Sequence, residues 1–501
     1  MFSLGIKASL VVTAALGWTA LAAAAAGNGT AQTRTLRSFG AIGDGHTDDR
    51  AAITAAFEQA GGAPVDGEGL IYAVHGNIDV KTNLDFRNGT LVQTMGPPDT
   101  KRFFPSRGTL KVEPAAAFQK NLKGVPVLRP DGIGTYADNP NPTADELTEL
   151  LPSIVLRTLA IHGTKADPIS VHLDHVKIDR GNHPDSGGRT DGAGIHLEYV
   201  SPATLQDVEI TGDGKGTGLM ISHCSHVRLD RLDIHDMTWA PYAGDDIFDR
   251  FNVNEIREDF GWNVFPIYEF RSAAKRFVRV RVQEQLVGIF MGLSSDIQVT
   301  NSKIRRLQTS ISGGLYPLQS DGMTIGNTQH IKIDHCDLSR TWEAIDFTGK
   351  SGEDLEVTHC TAADTIGWAF KIAHPKQHVR YADCIATRGG IAGFLIGADS
   401  DDVQLLRCQA LETGGNQYWT RADGSHIMRL SGIRIQGTAN SPTPRHIHID
   451  DCTAINDEHP GAIDYGILCE APDPEARDIK LTNFKTRGAK IKDVQGLTAS
   501  P

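Results

Sequence analysis

Three observations predict an all-β chain, a right-handed parallel β-helix solenoid of roughly eleven or more coils with a short N-terminal capping helix. The first is a fixed period. Cys336, Cys360, Cys384 and Cys408 follow one another at intervals of 24 residues, and a period of this size marks a solenoid or a related array. The second is period-2 alternation in short segments around that column, such as Gly322-Met-Thr-Ile, Gly393-Phe-Leu-Ile and Gly432-Ile-Arg-Ile, each followed by a second alternating run such as His330-Ile-Lys-Ile-Asp-His-Cys336. Alternation of this kind marks strands with one buried face. The third is the turn chemistry. Gly, Asp, Asn and Ser separate the runs, and two or three strands in roughly 22–26 residues leave no room for a crossover helix. The L-x-x-L-x-L signature of leucine-rich repeats is absent.

Coils counted this way run from about Leu173 to Lys485. Stacked at about 4.8 Å, they place equivalent residues in ladders. Ile, Val, Leu and the cysteines then line the interior, the thiols acting as small buried apolar groups. The seven cysteines lack the short C-x-x-C pairs of a zinc site, and their even spacing is unlike a disulfide framework.

The chain has 501 residues, a formal net charge of −12 and 52 glycines. No Lys/Arg run resembles a phosphate-binding stripe, which argues against nucleic acid. The acidic balance also weighs mildly against a strongly anionic substrate. Lys7 and the apolar run Ala8–Ala26 read as a signal peptide over residues 1–26, followed by a linker over 27–34. This implies an exported protein, periplasmic or extracellular, with no transmembrane span after cleavage. Residues 35–488 read as one β-helix domain with loop insertions near 96–152 and 239–263, and 489–501 as a C-terminal tail. The second insertion carries Trp239, Tyr242, Asp245 and Asp246, an acidic and aromatic set suited to the border of a groove.

Ser38-Phe-Gly-Ala-Ile-Gly-Asp-Gly-His-Thr-Asp-Asp49 precedes an amphipathic segment, Arg50–Phe57, with Thr47 or Asp48 as candidate N-cap. With coils behind it, this stretch resembles the entry motif of the pectate-lyase/polygalacturonase-like β-helix superfamily, which includes pectinases, related lyases, rhamnogalacturonase- and epimerase-like proteins and phage tailspike depolymerases. The resemblance implies that the motif caps the solenoid, that residues 35–485 share the architecture, and that the substrate is a polysaccharide. It also leaves monomer and homotrimer open.

Candidate chemistry sits on one face. The residue before each Gly-x-x-Ile strand forms a column: Ala193, Thr217, Val287, Asp321, Glu343, Trp368, Ala392, Ser431 and Tyr465. Outward positions beside it include His196, Glu269, Thr324, Asp346, Lys371 and Arg434. Paired carboxylates there supply the acid and base of glycoside cleavage. The structural alternative is an exposed polar face with an Asp346–Lys371 salt bridge. Gln319-Ser-Asp-Gly-Met-Thr-Ile325 and Cys336–Ile345 are similar to a polygalacturonase stretch. That resemblance places Asp321 and Glu343 on water-activating aspartates, and Trp368 on a histidine of the family. Trp342 stands where the family keeps its general acid, so the acid is assigned to Asp245, Asp246 or Asp346.

Three readings follow. A hydrolase uses Asp321 and Glu343 and requires no cofactor. A lyase or C5-epimerase on a uronate polymer recruits Lys371, Arg434 and Asp346, with Ca2+ held by oxygen ligands. A non-catalytic glycan-binding or exopolysaccharide-assembly protein uses the same face without turnover. His223, His226, His330, His335 and His359 read as solvated, outward histidines rather than metal ligands.

Overall fold

The computed structural model describes residues 34–94, 126–129, 132–135, 156–182, 192–213, 216–239, 267–271, 277–281, 285–309, 319–373, 376–397, 400–415, 419–420, 423–426, 428–437, 444–475 and 477–497. Among these, 34 strands join one sheet. Its rungs are parallel and repeat coil by coil. Leu173 lies beside Leu205, then Leu229, Val299, Ile333, Val357, Tyr381, Leu405, Ile449 and Leu481. All ten are 2% exposed or less. They form one row of a continuous apolar lumen, whose burial drives the stacking. The chain is therefore a parallel β-helix.

One residue turns each coil at the corner after this row. Asn88, His175, Asp207, Arg231, Asn301, His335, His359, Asp383, Arg407, Asp451 and Asn483 all have φ between 50° and 55°. A single left-handed residue redirects the chain without a loop, and Asn, Asp and His tolerate that region best. Ten of these eleven corners fall between Leu173 and Lys485, the span the repeat predicts to hold roughly eleven coils. The residue after the corner points into the lumen, and from Cys336 to Cys452 it is cysteine. The Cys336 amide donates to Cys360 Sγ at 3.4 Å, and the Cys408 amide to Cys452 Sγ at 3.3 Å. All seven cysteines are buried free thiols. Gly322 is one point of close approach between successive coils: a Cβ there would lie 2.6 Å from the Ala344 carbonyl oxygen.

The helix Arg50–Ala60 closes the N-terminal end, burying Ile53, Ala56 and Phe57. Phe57 meets Phe86 edge-on at 5.2 Å. The N-cap differs from expectation. It is Asp49, not Thr47 or Asp48. The Asp49 carboxylate accepts from the Ile42 and Gly43 amides at 2.6 and 3.0 Å, so it braces the preceding glycine turn. Asp44 likewise accepts from the His46 and Thr47 amides. The acidic residues of the entry motif thus hold backbone.

Two boundaries are corrected. Ala489–Gln495 is no tail: it forms a strand paired with Ile463–Cys469, because Val494 falls in register with Ile467 and packs on the core. The 96–152 insertion is not wholly loop. Pro126–Arg129 and Gly132–Thr135 form a hairpin in a separate four-stranded sheet with Ile267–Arg271 and Phe277–Arg281. Residues 1–33, most of that insertion and residues 240–266 lie outside the described residues. From Arg34 onward the chain is one compact unit, and no helix among the described residues is long and apolar enough to cross a membrane.

Burial of every thiol gives a direct check. The native protein is expected to leave all seven cysteines unreactive toward a thiol-labelling disulfide reagent, and full unfolding in denaturant to expose all seven.

Candidate active site

The strand register assembles the outward column that the repeat implies. His196 lies beside Met220, then Phe290, Thr324, Asp346, Lys371, Leu395 and Arg434. The neighbouring column runs Ala193, Thr217, Val287 and Asp321, and resumes as Trp368, Ala392, Ser431 and Tyr465. Glu343 fills the step between them, its carbonyl accepting from the Gly322 amide at 2.8 Å.

Four ionisable side chains meet where the columns run side by side. The Lys371 ammonium donates to Glu343 Oε1 at 2.8 Å and Oε2 at 3.0 Å, and lies 3.6 Å from Asp346 Oδ1. The Thr324 hydroxyl donates to Asp321 Oδ2 at 2.9 Å. Carboxylate oxygens of Asp321, Glu343 and Asp346 lie within 4.8 Å of one another. The group is not the exposed face that the alternation suggested. Asp321 and Glu343 are 0% exposed, Asp346 4% and Lys371 7%. The ion pair also differs, because Lys371 bonds chiefly to Glu343 and only secondarily to Asp346.

Burial and charge set the protonation of this cluster. Burial pushes the Glu343 carboxyl well above the ordinary carboxylate range. Lys371 opposes the shift, and repulsion from Asp346 and Asp321 adds to it. For Lys371 burial favours the neutral amine, yet attraction to Asp346, Glu343 and Asp321 outweighs it, so the ammonium is held more firmly than usual. A buried charge group of this kind contributes little to net stability compared with apolar packing, and buried, mutually perturbed ionisable groups mark candidate functional sites as well as structural ion-pair networks. The three carboxylates form an oxygen donor set suited to calcium. The Lys371 ammonium, however, already stands among them, so the cluster does not fit a calcium ion.

An apolar wall flanks the cluster outside the lumen. Trp342, Ile366, Trp368, Leu395, Trp419 and Leu430 pack together. Lys371 Nζ sits 5.0 Å from the Trp368 ring centroid, a cation–π contact. Trp342 is 1% exposed and meets Trp419 edge-on at 6.1 Å. The Trp419 indole donates to the Ile366 carbonyl at 2.6 Å. Trp419 went unremarked in the sequence. Its signal was the stretched interval from Cys408 to Cys452, 44 residues in place of 24.

The remaining candidates lie apart. Arg434 is two coils beyond Lys371 and forms a forked pair with Glu470 at 3.0–3.1 Å. Trp239 and Glu269 belong to the strands Asp233–Trp239 and Ile267–Arg271, with side chains outside the described residues. Tyr242, Asp245 and Asp246 lie outside them entirely. His196 is 4% exposed, neither ring nitrogen has a hydrogen-bond partner among the described residues, and burial drives its pKa down to about 3, so it is neutral.

Two outcomes test this electrostatic description. Lys371→Met leaves buried carboxylates without their counter-ion and is expected to lower stability by about 3–5 kcal/mol at neutral pH, read by urea unfolding. Glu343 binds its proton more tightly folded than unfolded, so its contribution is present below pH 4.5 and is lost as pH rises through the raised folded value. Glu343→Gln is therefore expected to gain stability relative to wild type as pH climbs from about 4.5 toward 7. An unchanged difference across that range would contradict the assignment.

No protein-family model matches the chain, and no curated protein matches it. Among solved structures it is similar to the Dettilon tailspike protein, at 10% identity and a TM-score of 0.48 over 91% of this chain and 68% of that one. It is also similar to bacteriophage phi29 gene product 12, at 12% identity and 0.46, covering 93% of this chain and 55% of that one, so it spans about half that protein's length. An alginate lyase from Paenibacillus sp. str. FPU-7 aligns at 12% identity and 0.37 over 68% of this chain and 87% of that one. At these identities the likeness concerns the fold alone, and the β-helix assignment rests on the strand register.

Proposed function

We propose that this chain is an exported enzyme that cleaves a polysaccharide by hydrolysis, with Asp321, Glu343 and Asp346 as its acid–base groups. The observation that carries the reading is the buried cluster itself. Glycoside hydrolysis needs one carboxyl that keeps a proton for the leaving oxygen and one carboxylate that stays ionised. A set of three carboxyls within 4.8 Å, one of them pushed well up in pKa, supplies both from adjacent coils. On this reading the acid comes from the cluster, while Asp245 and Asp246 lie outside the described residues. The proton belongs to the coupled group rather than to one oxygen. Lys371 keeps the cluster from accumulating full negative charge, and Trp368 offers an aromatic face beside it. The reaction requires no cofactor. A sugar approaches from the side of Asp346 and Lys371, the two members that retain exposure.

Lyase chemistry is less well served. A lysine base must shed its proton near neutral pH, and Lys371 is held protonated. Arg434, which would neutralise a uronate, is already paired with Glu470. The second reading with an observation in its favour is a non-catalytic glycan-binding protein: complete burial of Asp321 and Glu343 suits a closed structural cluster.

Purified mature protein tested against plant, algal and bacterial polysaccharides separates these readings. Hydrolysis yields new reducing ends without the ultraviolet absorbance of an unsaturated uronide. A lyase yields both, and a binding protein retains glycan and yields neither. Asp321→Asn and Glu343→Gln are each expected to reduce turnover by roughly a hundred- to ten-thousandfold while the folded far-ultraviolet spectrum is kept. Wild-type turnover in either variant would remove that residue from the mechanism.

A further inference from the structure

We infer that Asp334, His335 and His359 form a binding site for a divalent first-row transition metal ion, on the outer corner of the solenoid and separate from the carboxylate cluster. His335 and His359 occupy the left-handed corner position of adjacent coils, with φ of 52° and 51°. Their rings stack at 4.6 Å with 21° between planes. Both Nδ1 atoms converge on one carboxylate: His335 on Asp334 Oδ2 and His359 on Asp334 Oδ1, each at 2.9 Å. The Thr358 hydroxyl donates to Asp334 Oδ1 at 2.6 Å and orients that carboxylate, as outer partners orient metal ligands.

The spacing suits a metal ion in place of the shared protons. Zinc–ligand bonds of about 2.1 Å, at angles between a right angle and tetrahedral, separate neighbouring donors by about 3.0–3.4 Å. The two 2.9 Å contacts reach different oxygens of Asp334, and the three groups offer one ligand atom each within 4.8 Å of one another, so side-chain rotation closes the shell around an ion. Two neutral imidazoles and a carboxylate form a borderline donor set that selects Zn2+ and its neighbours over calcium or magnesium. The imidazole side chains are 58% and 50% exposed and that of Asp334 25%, so an ion enters from solvent and water completes its shell. Cys336 and Cys360, one residue further along, face the lumen and take no part.

The corner column shows why this pair stands out. Elsewhere it sets opposite charges in register. Arg231 forks onto Asp207, and Arg407 onto Asp383. At His335 and His359 two like groups stack instead. Two other groups of three potential ligands have one imidazole each, and carboxylates already committed. Asp207 is held by Arg231, and Glu412 accepts the Asp457, Glu458 and His459 amides. Both histidines are outward and solvated, as the sequence indicates; the inference adds a ligand role to that placement.

Calorimetric titration of the untagged full chain with Zn2+ tests the site. One saturable Zn2+ per chain is expected. His335→Ala and His359→Ala are each expected to weaken it at least about tenfold, and Asp334→Asn to weaken it as well. His378→Ala, which removes an exposed histidine paired with Asp354, is expected to leave it unchanged. Absence of saturable binding to the native chain would overturn the inference. So would an affinity unaltered in the His335→Ala/His359→Ala double variant, measured once circular dichroism shows that variant to be folded.

Discussion

The parallel backbone ladder is the constraint from which the rest of this structure follows. Each coil must satisfy its amides and carbonyls on the coils above and below, at about 4.8 Å. Once the register is set, residues one coil apart in sequence become neighbours in space. Apolar residues therefore merge into one lumen from Leu173 to Leu481. Polar residues are brought together by the same operation. Asp346 lies beside Lys371 because Phe347 lies beside Ile372 inside the lumen.

The constraint has a local cost at the corners, and the sequence meets it with residue type. A coil turned at a single residue needs positive φ, so the corner selects Asn, Asp and His. These residues are also titratable or metal-binding, and they repeat at ladder spacing. Charged ladders such as Asp207–Arg231 follow from that geometry, as does the stacked imidazole pair at His335 and His359. The outer surface of the solenoid is thus chemically patterned by a requirement of the backbone.

The carboxylate cluster stands in contrast to the corners. It is buried outside the lumen, against tryptophans rather than aliphatic rungs. Lys371 is the cation that makes this burial tolerable, and it does so by bonding to both oxygens of Glu343. Burial then separates the behaviour of chemically similar groups. An exposed carboxyl in this protein, such as Asp44, is held down at about 2 by amide donors, while Glu343 is pushed far the other way. The same side-chain chemistry is structural in one environment and suited to proton transfer in the other.

By itself the sequence determined the solenoid, because the interval between cysteines and the period-2 alternation are direct images of coil length and strand pleat. It also determined which residues share a face: Thr324, Asp346 and Lys371 were in one column on spacing alone, and the register agrees. Interior membership, as of Cys360 and Val357, was legible for the same reason. Depth was not. A polar residue in an alternating strand reads as exposed, and only the tertiary structure placed Asp321 and Glu343 beneath the surface, with Trp368 and Trp419 packed nearby. Partnership was not legible either. Glu343 lies outside any strand, so no register rule joined it to Lys371, and Arg434 turned to Glu470, the residue just after the strand paired with its own. Period reports which side of the backbone a residue occupies. Burial and ion pairing depend on what covers that side, which the period does not encode.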